Sequence, residues 1–289
     1  VIIVAILKHV AGKSADYGAA LDYLKYEHDE VLKKPLLDAN GNWVLRRDIL
    51  LDGINCEPEL FDVECEMLNA QYHKNQNYDE IKTHHYLISF DPADKDECGL
   101  TGERAQAIGM EYVKTNFPGH QALVCTHMDG HNGSGNIHVH IVINSLRKLD
   151  VPQKSFMERP IDCKAGYKHH LTKDYLKHLQ QSLMNICMRE SLNQVDLLSP
   201  SVNKITQQEY YAKQRGQINL DKLNAELIAE GFTPMKTKFQ TEKDKLRDSI
   251  TAAAKKAKSF EEFSRLLQTE SNILVKDHRG RFSYLLPDR

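Results

Sequence analysis

The segment NIHVHIVIN (136–144) constrains this chain most. Strand side chains alternate faces, so His138, His140, Val142 and Asn144 share one side, and Val139, Ile141 and Ile143 the other. The second side enters a core; the first is expected to be an open surface lined with histidine. QALVCTHM (121–128) reads as a second strand, and the Gly/Asn-rich loop between the two makes them a hairpin. His127 then lies beside the pair, across the ladder at about 5 Å. Three imidazoles from neighbouring strands form a facial nitrogen site with open coordination positions. An isolated His-x-His is more often polar surface. The third histidine and Asp129, which can orient an imidazole through its second nitrogen, favour a metal site instead. His131 is a further candidate ligand inside the loop.

Length and composition set wide bounds. The 289 residues allow one or two domains with a buried core, and no run of eighteen apolar residues suggests a membrane span. The opening VIIVAILKHV has no basic region before it and no cleavage site after it, so it reads as a buried strand, not a leader. The start at Val1 is read as loss of an initiator Met or a tag. Six cysteines without Cys-x-x-Cys spacing read as reduced, buried thiols of a cytoplasmic protein. The net charge of −2 conceals an uneven distribution. Residues 27–66 carry eleven acids against four bases, 147–177 eight bases against four acids, and 236–258 eight bases against three acids. The two basic runs suit a polyanion, although each is equally a solvated helix face.

Strand and helix signals alternate over the first 145 residues. Ser14 is the expected cap of a helix near 15–27, and residues 31–53 hold Pro35, an Asn40–Gly41 turn and a strand-like WVLRRDILL. A helix over 58–74 is expected to bury Leu60, Phe61, Met67 and Leu68. HHYLISF (84–90) reads as a strand and 101–115 as a helix. Beyond 150 the pattern predicts helices over 172–191, 206–215, 219–230, 241–257 and 259–270, then a hairpin around Arg279–Gly280. The pattern reads as an α/β domain to about 200, a helical connector and a small basic module from about 240.

Three neutral nitrogens leave a bound cation its charge, which can polarise a phosphoryl oxygen. A hydrolase would add a general base, for which Asp129 is placed. A transesterase needs a protein nucleophile, and ALDYLKYEHDE (20–30) supplies Tyr23 and Tyr26 three residues apart, with Tyr17 further back. On spacing alone each tyrosine is as well explained by packing.

An N-terminal tyrosine, INC (54–56), HHYLISF and THMD…IHVHIVINS occur here in one order. This order resembles the relaxase and mobilisation nucleases of conjugative plasmids and transposons, in the P-type branch of the HUH class. His127, Asp129, His138, His140 and Asn144 match the family's H-x-D…H-x-H-x-x-x-N motif. The resemblance extends through LMNICMRESL (183–192) and ITQQEYYAKQRGQ (205–217). It implies nicking of one DNA strand at a transfer origin, with a tyrosine oxygen forming a 5′-phosphotyrosyl link beside a divalent ion. It also implies an α+β fold, a central antiparallel sheet flanked by helices followed by a helical connector and a small α/β module, divided as a nickase domain over 1–200, the connector over 201–240 and a basic DNA-binding module over 241–289. It places the nucleophile at Tyr23 in ALDYL, with Tyr26 as alternative. Tyr210, in a later Tyr-x-x-Lys pattern, would suit a rolling-circle replication initiator, and a phosphodiesterase using water is the other alternative. Departures are the long glycine-rich turn after His127 and the acidic tract after Tyr23.

Around this site, Asn144 and His85 are expected as outer partners, with packing the other reading for His85. Trp43 is a base-stacking candidate or an anchor. Candidate DNA contacts are Arg147, Lys148, Lys154, Arg159, Lys164 and Lys168, with Lys255, Lys256 and Lys258 in the tail. Nitrogen ligands suit Mn, Zn, Ni or Co, while phosphate oxygens bring Mg or Mn within range in cells. The implied partners are transfer-origin DNA, an accessory relaxosome protein and a secretion-system coupling protein, without membrane insertion.

Overall fold

A computed structural model of the chain describes residues 6–14, 16–29, 34–128, 136–199 and 207–286. It divides into two compact units, Val1–Ser201 and Val202–Arg289, so residues 202–240 and 241–289 share one unit. Among the described residues, no helix is long and apolar enough to cross a membrane.

The first unit runs β1 (Ile6–Gly12), α1 (Gly18–Lys25), the two-residue strands β2 (His28–Asp29) and β3 (Lys34–Pro35), β4 (Ile49–Ile54), α2 (Phe61–Gln71) and β5 (Thr83–Ser89). It continues with α3 (Ala93–Glu97), α4 (Gly102–Asn116), β6 (His120–His127), β7 (His138–Arg147) and α5 (Lys173–Arg189). Five strands form an antiparallel sheet in the order β1-β5-β7-β6-β4, the expected α+β arrangement. The β6–β7 hairpin stands at its centre.

Every residue of β7 is buried. Val139, Ile141 and Ile143 join Val124, Tyr86 and Ile88 in the larger core, packed with Ile108 and Tyr112 of α4 and Leu179 and Leu183 of α5. Val142, Leu123 and Cys125 face the other way, against Leu21 and Leu24 of α1 and Phe61 and Cys65 of α2. The histidine side of β7 is therefore not open, as its alternation suggested: two short helices cover it.

Other expectations shift for local reasons. β1 is an edge strand with Ile6 and Val10 exposed, not a buried one, since it pairs with β5 alone. Residues 1–5 lie outside the described residues. α1 begins at Gly18, and Asp16 Oδ1, not Ser14, accepts the Ala19 N–H at 3.0 Å. α2 buries Cys65 with Phe61 and Leu68, leaving Leu60 and Met67 exposed. Asn55 of INC adopts φ 57 and donates through Nδ2 to the His120 carbonyl at 2.8 Å, fastening the end of β4 to β6. Of the six cysteines, all unbridged, Cys56 and Cys98 are only half-buried.

The second unit holds α6 (Gln207–Ala229), α7 (Glu242–Lys256), α8 (Phe260–Ser271), β8 (Leu274–His278) and β9 (Arg281–Leu285). The two helices expected over 206–230 are one. Gly216 sits inside it because a Cβ there would meet the Phe239 ring at 2.2 Å. Thr241 and Asp244 form a reciprocal capping box on α7, and Ser259 Oγ accepts the Glu262 N–H on α8. Ala253, Leu267 and Ile273 form a small core. The β8–β9 hairpin turns at Arg279–Gly280 with φ 55 and 76.

Gly109 of α4 faces the sheet where a Cβ would come within 2.6 Å of Val139 Cγ1 and 2.9 Å of Val124 Cγ1. Gly109→Val should destabilise the first unit by about 1–3 kcal/mol through overpacking. A lowered urea midpoint by near-ultraviolet circular dichroism is the expected outcome.

Candidate active site

Register makes the first placement. In the β6–β7 hairpin His127 lies opposite His138, and His140 opposite Cys125. The three rings therefore share the face covered by α1. Their nitrogen ligand atoms all lie within 4.8 Å of one another, and all three residues are buried. Ring centroids are 4.5 Å apart for His127–His140, 4.9 Å for His138–His140 and 5.1 Å for His127–His138.

Each ring is oriented through one nitrogen. His127 Nε2 lies 2.9 Å from the Leu24 carbonyl and His138 Nδ1 lies 3.2 Å from the Asn136 carbonyl. A carbonyl only accepts, so these nitrogens carry the protons, leaving His127 Nδ1 and His138 Nε2 as lone-pair sides. His140 Nδ1 is held by His85 Nε2 at 2.9 Å. Burial, then the charges of Lys8 and His9, lowers the His85 pKa to about 4, so His85 is neutral near pH 7. His85 thus touches a candidate ligand in the manner of an outer partner.

Tyr23 stands over this group. Its ring centroid is 5.7 Å from His140, 6.0 Å from His85 and 5.2 Å from His28. The helix bearing it is tied to the triad at the next residue, through the Leu24 carbonyl. Tyr26 is elsewhere: it ends α1 in extended backbone, and its ring packs edge-on against Trp43 at 5.3 Å. Tyr17 is buried, its oxygen accepting from Asn69 Nδ2 at 2.5 Å and Asn75 Nδ2 at 3.4 Å. Burial foremost pushes its pKa up to about 12, which suits a packed phenol and not a nucleophile. Tyr210 lies on α6 in the other compact unit. Asp129 and His131 fall outside the described residues. His28 escaped the sequence reading; its signal is its place just beyond the tyrosine helix in LKYEHDE.

A family model for relaxases, described as MobA/VirD2-like, nuclease domain, matches residues 45–192. The chain belongs to this relaxase family. Two Staphylococcus aureus proteins named rlx are similar to it. One is 25% identical over 243 residues, 84% of this chain and 61% of the relative. The other is 25% identical over 176 residues, 61% of this chain and 44% of the relative. The relaxase chain thus spans less than two thirds of the length of these curated relatives. Among solved structures, the conjugative relaxase TrwC in complex with mutant oriT DNA is 12% identical, with TM-score 0.36 over 92% of this chain and 99% of that one. A metal-bound TrwC–oriT DNA structure is also 12% identical, with TM-score 0.32 over 92% and 98%.

The remaining candidate positions of this relaxase divide by environment. Asn144 is bonded away from the candidate histidines. Its Nδ2 donates to Gln121 Oε1 at 3.1 Å and its Oδ1 accepts the Leu146 N–H at 3.1 Å. Arg147, expected to face DNA, is only 3% exposed, so its guanidinium is not a surface cation. Lys148 pairs with Glu64 at 2.8 Å, Arg159 with Asp162 at 2.7 Å, Lys164 with Asp150 at 3.0 Å and Lys168 with Glu80 at 2.7 Å. Lys256 pairs with Glu270 at 2.8 Å. Lys154, Lys255 and Lys258 are exposed.

A second histidine group lies on the opposite face of the relaxase sheet. His9 Nε2 meets His84 Nδ1 at 2.9 Å, and the His84 and His169 rings are 4.7 Å apart. The Tyr86 hydroxyl bonds His169 Nε2 at 2.8 Å, and His120 Nδ1 bonds the Asn144 carbonyl at 2.9 Å. Burial, then the proximity of His9, lowers the His84 pKa to about 3. Burial, then the Arg147 charge, lowers that of His120 to about 3. An unfolded histidine titrates near 6.5, so below that pH the unfolded chain binds more protons. The stability contributed by these neutral rings is complete above about pH 6.5 and is lost progressively toward pH 3. At pH 5 each ring should cost about 2 kcal/mol relative to pH 8. Urea unfolding at both values should show this loss, and His84→Gln should reduce it.

Proposed function

We propose that this relaxase nicks one DNA strand at a transfer origin by transesterification, with Tyr23 as nucleophile and His127, His138 and His140 as ligands of one divalent ion. The observation that carries the proposal is the position of the Tyr23 ring, 5.7 Å from His140 on a helix bonded to His127. Neutral imidazoles with fixed tautomers form a suitable donor set. A divalent ion held there would supply positive charge beside the phosphoryl oxygens as the transition state gathers negative charge. Asp129 keeps its proposed place near the site as proton acceptor or orienter, on its motif position alone.

The reaction balances without water. The Tyr23 oxygen bonds to the scissile phosphorus and the phenolic proton is given up. The bond from phosphorus to the 3′ oxygen breaks, and that oxygen takes a proton. The products are a 5′-phosphotyrosyl adduct and a 3′-hydroxyl end, and reversal rejoins the strand. This chain's own residues bind and orient: α1 fixes the phenol, while His85 holds the His140 ring. Transfer-origin DNA is the substrate in this reading, the cytoplasm its setting, and accessory relaxosome and coupling proteins its partners.

With labelled single-stranded origin DNA and Mn²⁺, the parent chain should give a covalent adduct on a denaturing gel. Tyr23→Phe should abolish the adduct and leave DNA binding within about twofold, since one hydroxyl is removed from a solvated complex. Cleavage without any adduct would identify water as nucleophile and reject the proposal. Separately, His85→Ala should weaken Mn²⁺ binding by roughly 10–100-fold, as loss of a ligand-orienting partner does. Isothermal titration of the DNA-free chain reads that effect directly.

A further inference from the structure

A small flap follows the tyrosine helix. Its strands are joined by backbone bonds from Glu27 N to Val44 O, Leu36 N to Glu27 O, and Val44 N to Leu36 O, at 2.8, 2.8 and 3.0 Å. Bridges pair Tyr26 with Leu45 and Leu37 with Trp43. Asp38 Oδ1 closes its turn by accepting the Asn40 and Asn42 N–H groups at 2.8 and 2.9 Å. The described part of this flap is held by these bonds, yet it turns large apolar side chains outward. Trp43, the chain's single tryptophan, is 45% exposed; Leu37, bridged to it, and Leu45, two residues further along on the same side, are exposed as well. Contiguous exposed apolar surface of this kind marks a binding face.

Two further observations select the occupant. The flap is continuous with the active site: Tyr23 meets the His28 ring at 5.2 Å, and His28 meets the Trp43 ring at 6.5 Å. His28 is itself held by its Nδ1–H, which donates to the Tyr26 carbonyl at 2.9 Å. The described flap residues carry Glu27, Asp29 and Asp38 with an exposed Lys34, while Arg46 is buried with Nε donating to the Tyr26 carbonyl. A flap without an excess of cations gives a phosphate little grip, whereas its apolar side suits the flat face of a base.

We infer that Trp43 is the stacking platform for an unpaired base of the scissile strand, next to the phosphate that Tyr23 attacks. The inference rests on the nicking reading above and adds the part of the substrate that this face takes. DNA here is read through base faces, with the backbone held elsewhere. Stacking on an aromatic side chain tolerates any base, so the platform positions the strand without selecting sequence.

The single tryptophan makes the test direct. Titrating the full chain with oligothymidylate should quench its emission in step with binding followed by fluorescence anisotropy of the labelled strand. Trp43→Ala should weaken binding roughly tenfold, and Trp43→Phe should restore most of it. The slope of log affinity against log salt should be unchanged in both variants, because no phosphate contact is removed. Thermal unfolding of each variant checks the fold. Binding without quenching, parental affinity for Trp43→Ala, or a flatter salt slope overturns the inference while leaving tyrosine nicking intact. Absence of both strand binding and adduct in the parent chain sinks the nicking reading and the inference together.

Discussion

The bond between His127 Nε2 and the Leu24 carbonyl, 2.9 Å long, is the joint on which this site depends. It crosses from the central hairpin to the helix that carries Tyr23, and it does so inside a buried layer. Three imidazoles can share such a layer only if they are neutral and oriented, because charged rings crowded together repel and lose hydration. The Leu24 and Asn136 carbonyls and the His85 ring supply the orientation. The same bond limits how far α1 can drift from the sheet. Positioning the phenol and preparing the nitrogen cluster are therefore one structural event.

The sheet separates two histidine populations that composition alone would merge. His84 and His85 are neighbours in β5, and alternation sends them to opposite faces. His85 bonds His140, in the layer beneath Tyr23. His84 joins His9 and His169, beside the core aromatics Tyr86 and Phe117. Burial keeps the second group neutral, which makes acid a stress on the fold as well as on the site. One face gathers three imidazole nitrogens within 4.8 Å of one another, and the other keeps its rings neutral.

What was legible follows from what periodicity records. Alternation in NIHVHIVIN identified the strand, its hairpin partner and the side that carries His138 and His140. It recorded nothing of what covers that side, so α1 and α2 turned an expected open surface into a buried layer. The apolar run at the start likewise predicted burial, but an edge position left Ile6 and Val10 exposed. The two helices expected over 206–215 and 219–230 are one, and the glycine between them, Gly216, is there because a Cβ would meet the Phe239 ring. Tyr23 and Tyr26 were nearly equivalent by spacing; the end of α1 separates them, sending Tyr26 to Trp43. His28 was hidden because its nearness to Tyr23 arises from the chain's path after the helix, which no period encodes.

Charge counting weighs every base alike, whereas the surroundings of the candidate DNA contacts rank them physically. Arg147 is buried beneath the strand end, so engaging a phosphate would require unpacking it. Arg159 pairs with a largely buried Asp162, which also meets His170. Lys148 and Lys168 are half-buried with their carboxylates. Lys164 and Asp150 are both well exposed, and such a pair contributes only about 0–1 kcal/mol. A phosphate competes with Asp150 at little cost and with Asp162 at much more. Of the candidate contacts, the cations open to a DNA backbone are therefore Lys154, Lys164, Lys255 and Lys258 before the others.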